Sequence, residues 1–445
     1  MKKAISIIVI LAMILSFSAC GQEKVSETNV IYSTNISKQY PDANILQLNE
    51  GAAVLNGTEL KEYDYTMTFD PSMSEPQYSG EEPNTEECYI AHDIIYYPEI
   101  DEDKFVQENY DGEIEWITHY TADGLTDYLF STLPVLGTAL PKYMMHSAEE
   151  AYANPVLHIT QPGKYILEGS WNGQIYVDLG DKDECFTDES KKVTLIMNGV
   201  NVNCTVAPSV IFYSLYECDN EWENRTEAIS TIDTSNAGAT VVLADGSENN
   251  FSGANIFRIL KAKYKNENSK VQKKYYKTDG AFYTYVSLNI EGTTGIMNIT
   301  SSSYEGLDSE LHITINGGYI NIVSQDDGIN VNEDHVSVFT LNGGRVTIFA
   351  GQGAEGDVID SNGYININGG IIAGASPSVA DDMLDSEDGT FISDNAVVIE
   401  NIAEIKGGMM RPDGPQGEFN PDFPQDMMPP DNNDRPEPPN KTQPF

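Results

Sequence analysis

The chain has 445 residues, 40% of them hydrophobic, and a formal net charge of −44. That apolar content supplies a packed core and excludes global disorder. A polyanion of this kind repels phosphate, which excludes nucleic acid as a partner and leaves neutral ligands and metal cations.

The first residues read MKKAISIIVILAMILSFSAC. Lys2 and Lys3 precede an apolar run from Ala4 to Phe17, and Ser18-Ala19 is a small-residue site before Cys20. Residues 1–19 are therefore read as a secretory signal, since a membrane span needs roughly 20 apolar residues. The ending FSAC resembles the bacterial lipobox, with Phe17 where Leu is usual. That resemblance implies a lipid on Cys20 and a mature protein anchored outside the cytoplasm, at the membrane or cell surface. The alternative is ordinary secretion with Cys20 removed.

Residues 20–45 are polar and aperiodic and read as a tether. Residues 46–155 are mixed and aromatic-rich, with helical signals at Ala122–Phe130 and Ser147–Tyr152. They are expected to cap the N-terminal end of the strand-rich region that begins at Val156. Past the signal, Cys88, Cys185, Cys204 and Cys218 allow two disulfides in three pairings, or four free thiols; no C-x-x-C spacing points to zinc. Residues 407–445 hold ten of the chain's 21 prolines, a composition expected to be disordered.

Residues 156–406 carry strand signals throughout. Three segments align: ITINGGYINI from Ile313, FTLNGGRVTI from Phe339 and ININGGIIAG from Ile365. Asn316, Asn342 and Asn368 recur at intervals of 26, with Glu291 in the same place one copy earlier. Short strands repeating at this period predict an all-β fold, a right-handed parallel β-helix. Ile313, Phe339 and Ile365 then stack inward, as do Ile315, Leu341 and Ile367. The asparagines are placed to form an amide ladder, and the glycines to supply corners with positive φ. Leucine-rich repeats, calcium-binding nonapeptide rolls and propeller blades fail on consensus or on period.

Each copy also carries an acid-x-apolar-acid pair: Glu305–Asp308, Asp327–Asn330, Asp357–Asp360 and Asp382–Asp385. Asp279 reads as the start of this column without a second member. Leu307, Ile329, Ile359 and Leu384 point inward on this reading, so Asp308, Asn330, Asp360 and Asp385 form an outward column. Carboxylates one strand spacing apart, roughly 4.8 Å, repel by roughly 3.5 kcal/mol at an effective dielectric near 20. A column of them calls for protonation or a cation, and oxygen-only ligands suit Ca²⁺. A solvated acidic edge that discourages strand pairing is the alternative.

The stretches ITQPGKYILEGSWNGQIYVDLGD, VTLIMNGVNVNC, ATVVLADGSENNF, DGAFYTYVSLNI and GDVIDSNGYININGG, in this order, resemble the bacterial carbohydrate-binding-domain lipoproteins built as a polysaccharide-lyase-like parallel β-helix. The likeness runs over residues 156–406. It implies cellulose or pectin (polygalacturonate) binding, Ca²⁺ at the acidic pairs, and surface attachment. Val358 and Met383 depart from the Gly of the family's D-G-I-[DN] motif.

The residues allow three readings of function. The first is a non-catalytic, monomeric polysaccharide-binding protein stabilised by calcium. The second is a calcium-dependent pectate-type lyase, which needs a strong base. Between Asp279 and Lys406 the only Lys or Arg residues are Arg345 and Lys406 itself. A basic stretch, KAKYKNENSKVQKKYYK, ends just before at Lys277. The third is a structural or adhesive scaffold. Sugar binding asks for flat aromatic faces, and Trp171, Tyr176, Tyr304, Tyr319 and Tyr364 are the candidates.

Overall fold

The computed structural model describes residues 36–68, 77–95, 146–225, 227–254, 278–351, 356–376 and 382–400. The signal segment, Cys20, the Ala122–Phe130 helix signal, the basic stretch before Thr278 and the proline-rich tail lie outside the described residues.

The repeating unit is a coil of three short strands. One coil is Leu307–Ser309, Ile313–Ile315 and Tyr319–Val323; the next is Ile329–Val331, Val338–Leu341 and Arg345–Phe349. Ile359–Ser361, Tyr364–Ile367 and Gly370–Ala375 come after it. Each strand pairs in parallel with its counterpart one coil on, which makes three faces around an apolar centre. Alternation places the inward columns as the pattern demands. On the second face Leu288, Ile313, Phe339 and Ile365 are in register, as are Ile290, Ile315, Leu341 and Ile367; all eight are fully buried. On the first face Phe282, Leu307, Ile329 and Ile359 do the same. Nearer the N-terminus, Gly163–Asn172 and Val193–Asn203 are long strands; the second pairs with both Ala239–Leu243 and Glu248–Gly253, so one strand serves two faces.

The second and third faces meet at Gly318, Gly344 and Gly370, whose φ values of 87°, 82° and 77° exclude most L side chains. Just before this corner the amide ladder runs. Asn342 Nδ2 donates to Asn316 Oδ1 and Asn368 Nδ2 to Asn342 Oδ1, each at 2.9 Å. A second ladder is not visible in the sequence. On the third face Asn250 donates to Asn201, Asn298 to Asn250 and Asn321 to Asn298, at 2.6–2.8 Å. Its copies are separated by uneven insertions, so no fixed interval betrays it.

The motif glycine missing at Val358 has a packing explanation. A Cβ on Gly306 would stand 2.2 Å from Ile322 Cγ2, and one on Gly328 2.2 Å from Ile348 Cγ2. Where Val358 replaces the glycine, the facing position, in register with Ile348, is Gly374. A Cβ there would meet Val358 Cγ1 at 2.5 Å. Bulk has moved across the coil and the corner is kept. Gly374→Ile is therefore expected to cost about 1–3 kcal/mol by overpacking. Adding Val358→Gly should recover part of that loss, with a coupling of roughly 0.5–3 kcal/mol in a urea-denaturation double-mutant cycle. Strict additivity would refute the exchange.

At the N-terminal end two expectations change. Residues 36–45, read as tether, belong to the fold: Ile36 is 6% exposed and packs with Ile166, Ile196 and Val242. Asn44–Glu50 then lies parallel to Gly163–Asn172, from Asn44↔Tyr165 to Glu50↔Trp171. On the first face Tyr89–His92 runs antiparallel to Val156–Ile159, which ends the parallel stacking there. The expected helix at Ser147–Tyr152 is present as Ala148–Tyr152. Ser147 Oγ accepts from Glu150 N–H at 3.1 Å, and the Glu150 carboxylate accepts from Ser147 N–H at 2.9 Å. Cys88, Cys185 and Cys204 are buried thiols and Cys218 is half-buried; none is bonded to another, so the disulfide alternative falls. Burial pushes the Cys204 thiol up to about 12.

Candidate acidic column and its neighbours

The parallel register brings the second members of the acidic pairs into one column. Asp308, Asn330, Asp360 and Asp385 are successive partners on the first face, with Tyr283 ahead of Asp308. Asp279 does not head it: Phe282 is level with Leu307, so Gly280 is the residue level with Glu305.

The column is not uniformly open, as an outward direction alone had implied. Asp308 is fully buried, Asn330 is 8% exposed, Asp360 is half-buried and Asp385 is exposed. The first members show the same gradient, from Glu305 at 3% through half-buried Asp327 and Asp357 to exposed Asp382. Their carboxylates also have a structural task. Asp357 N–H donates to Asp327 Oδ1 at 2.7 Å, and Asp382 N–H donates to Asp357 Oδ1 at 2.5 Å. Each such aspartate clips its own coil to the backbone of the next.

Burial and mutual repulsion raise these groups together. Burial, then the charges of Asp279, Asp326, Asp308 and Asp327, push Glu305 well above the usual carboxylate range. Burial, then Asp326 and Asp360, does the same to Asp327. Burial, then Asp357 and Asp385, pushes Asp360 up to about 7. Asp326 is the member that sequence reasoning missed. It precedes the motif in QDDGIN and lies outside the repeated spacing.

The donor set fits a hard cation. It is made of oxygens alone, and Glu305 Oε2 and Asn330 Oδ1 are buried without a hydrogen-bond partner. Asn330 is tied to its own pair by Nδ2, which donates to Asp327 Oδ2 at 3.5 Å. Among the described residues no three His, Cys, Asp or Glu side chains are gathered around one point as metal ligands. Any ion there would draw on the Asn330 oxygen or on backbone carbonyls besides carboxylates.

A long loop between Val210–Phe212 and Ala239–Leu243 crosses the outside of the second face. It is held by a buried charge cluster. Arg225 Nη2 donates to both Asp219 oxygens, and His312, fully buried, has Nε2 3.2 Å from Asp219 Oδ2. His312 Nδ1 accepts from Val338 N–H at 3.1 Å, so the proton lies on Nε2 and points at Asp219. Burial alone would raise the Asp219 carboxyl; His312 and Arg225 outweigh it and hold it below the usual range. Further along, Thr234 Oγ1 is 2.7 Å from both Asn289 Oδ1 and Thr314 Oγ1, and Asn366 Nδ2 donates to Ser230 carbonyl at 2.6 Å.

The aromatic candidates separate. Trp171 is a core residue, fully buried, with Nε1 donating to Gln174 carbonyl at 3.1 Å; it is no sugar platform. Tyr165, Leu167, Gly169 and Trp171 keep one parity along their strand, a signal that would have placed it inward. Tyr176 stacks on Tyr213, centroids 6.0 Å apart, so that face is spent on its neighbour. Tyr304 is half-buried, and its carbonyl accepts from Gln325 N–H at 3.1 Å. Tyr319 is 44% exposed on the third face, level with Arg345. Tyr364 is half-buried on the second face, level with Gly389.

Residues 221–408 match the family model of carbohydrate-binding domain-containing proteins. The matched span starts within the crossing loop and includes every pair of the acidic column. Among solved structures the chain is similar to the polysaccharide lyase-like protein from C. thermocellum, determined as a gadolinium derivative. The two share 21% identity over 55% of this chain and 90% of that one, with a TM-score of 0.40. No curated protein matches.

Proposed function

We propose that this chain is a non-catalytic carbohydrate-binding protein, monomeric, held outside the cytoplasm by lipid on Cys20, and stabilised by Ca²⁺ along the acidic column. Its ligand is a plant-type polysaccharide, cellulose or pectin. The observation that carries the reading is the family match over the coils that hold the acidic column. Hard-cation binding is supported by the oxygen-only donor set and by the two orphaned buried oxygens. Glu305, Asp308, Asn330 and Asp360 are the side chains that would hold the ion, with Asp327, Asp357, Asp382 and Asp385 around them. The ion would supply charge neutralisation between coils.

Binding is favoured over lyase chemistry because Arg345, the candidate base, lies on the third face, whereas the acidic column is on the first. The test is co-sedimentation of the mature protein with insoluble cellulose and with pectin, alongside the absorbance of unsaturated products from polygalacturonate with Ca²⁺. The expected result is pelleting with polysaccharide and a flat absorbance trace. A steady rise would make the protein a lyase. Protein left in the supernatant with both polymers would make it a scaffold.

A further inference from the structure

We propose that a groove on the second face, roofed by Ser230–Thr231 of the crossing loop, is a subsite for an uncharged oligosaccharide. This rests on the carbohydrate-binding reading and names the ligand class and the place. The groove has a volume of about 350 Å³ and is formed by Tyr364, Asn366, Asn368, Thr390 and Phe391, with Gly389 in its floor.

Among the described residues its lining contains no Asp, Glu, Lys or Arg, in a chain of net charge −44. A uronate would find no cation to pair with there, and would meet the repulsion of the whole molecule. A neutral pyranose meets neither obstacle. Two rings are available to it. Phe391 is 58% exposed, an uncommon state for a phenylalanine. Tyr364 is on the same outward side of the adjacent coil, two positions along. From the strand spacing and the rise per residue, the two are separated by roughly 8 Å, which lets both engage an extended oligosaccharide. The coil above Tyr364 carries Gly389, where a Cβ would stand 3.5 Å from Tyr364 Cε1. Glycine there leaves the ring uncovered.

The polar groups are set as sugar hydroxyls require. Asn368 is exposed and ends the first amide ladder: its Nδ2 is committed to Asn342 Oδ1. Ser393 N–H donates to Ile367 carbonyl just as Asn368 N–H donates to Leu341 carbonyl, so the next rung is a serine. The Asn368 carbonyl therefore closes a chain of amides that polarise one another, an acceptor for a hydroxyl proton. Asn366 fixes the roof through Ser230 carbonyl, so the groove is formed before ligand arrives.

The experiment is calorimetry on the mature protein with cellohexaose and, separately, with an oligogalacturonate of equal length. Phe391→Ala, Tyr364→Ala and Asn368→Ala are compared with Tyr152→Ala, an exposed tyrosine at the end of the helix Ala148–Tyr152. Phe391 is exposed enough that its variant should keep the wild-type melting temperature. The expected result is a Kd for cellohexaose weakened about tenfold or more by Phe391→Ala and Tyr364→Ala, and unchanged by Tyr152→Ala. Wild-type affinity should hold between about 0.05 and 0.5 M salt. Unchanged binding in all three groove variants would overturn the site while leaving the carbohydrate-binding reading intact. Salt-sensitive preference for the oligogalacturonate would overturn the ligand class. No binding of any glycan by the wild type would remove both proposals.

Discussion

Saturating Ca²⁺ is expected to raise the melting temperature of ion-free protein by roughly 10 °C at about pH 8, and by much less at about pH 5. The cause is the acidic column. In the unfolded chain its carboxyls ionise near pH ~4. In the fold, burial and the neighbouring aspartates raise Asp360 to about 7, and raise Glu305 and Asp327 as well. Between those pH values the native state binds more protons than the unfolded one, so stability falls as pH rises. For Asp360 alone the loss is complete above about pH 7 and amounts to at most about 4 kcal/mol. A divalent ion offsets the same repulsion without protons. Without calcium, then, melting temperature should drop as pH climbs from about 5 to 8, and with calcium the profile should flatten. Asp360→Asn copies what Asn330 already does one coil earlier; it should raise the ion-free melting temperature and blunt the response to calcium. A flat ion-free profile together with no calcium response would reject the cation and the repulsion alike.

Asp219→Ala is expected to cost about 3–5 kcal/mol in urea denaturation, the range for breaking one partner out of a buried ion pair. The substitution leaves Arg225, only 12% exposed, without its two carboxylate oxygens, and leaves the His312 Nε2 proton without an acceptor. Asp233, exposed on the same loop, is the comparison, since it caps its neighbour Ser235, accepting from the N–H at 3.0 Å and from the side chain. Asp233→Ala should cost no more than about 0.5 kcal/mol. Because Arg225 anchors the segment that carries Ser230 and Thr231, Asp219→Ala should also weaken oligosaccharide binding in protein that is still folded. A loss below about 1 kcal/mol would show that the cluster is not what holds the loop.

The coil and the inward columns of its first and second faces are legible in the chain by itself; that each coil has three faces is shown by the strand pairing. Ile313, Phe339 and Ile365 share one interval, alternation assigns their side, and the Gly pairs mark the corner. The first amide ladder is legible for the same reason. The second is not, because Asn201, Asn250, Asn298 and Asn321 are kept level by strand pairing across insertions of unequal length. Trp171 reads as a surface aromatic when taken singly, although its own strand's parity points inward. Val358 looks like a defect in a motif until Gly374 is seen facing it from another strand.

The acidic column shows where the division falls. The repeated pair in the sequence pointed to one register for Asp308, Asn330, Asp360 and Asp385, and strand pairing keeps them level; the same pattern put Asp279 at their head, one residue out of step with Glu305. It could not say that Asp308 is sealed and Asp385 open, or that Asp327 and Asp357 clip neighbouring coils together. Nor could it lay the loop after Phe212 along the second face and so form a groove beside Tyr364 and Phe391. Periodicity is local information, carried by each turn of the chain. Coverage depends on which distant segment crosses which face, and that was decided by a few buried contacts, Asp219 with Arg225 and His312 first among them.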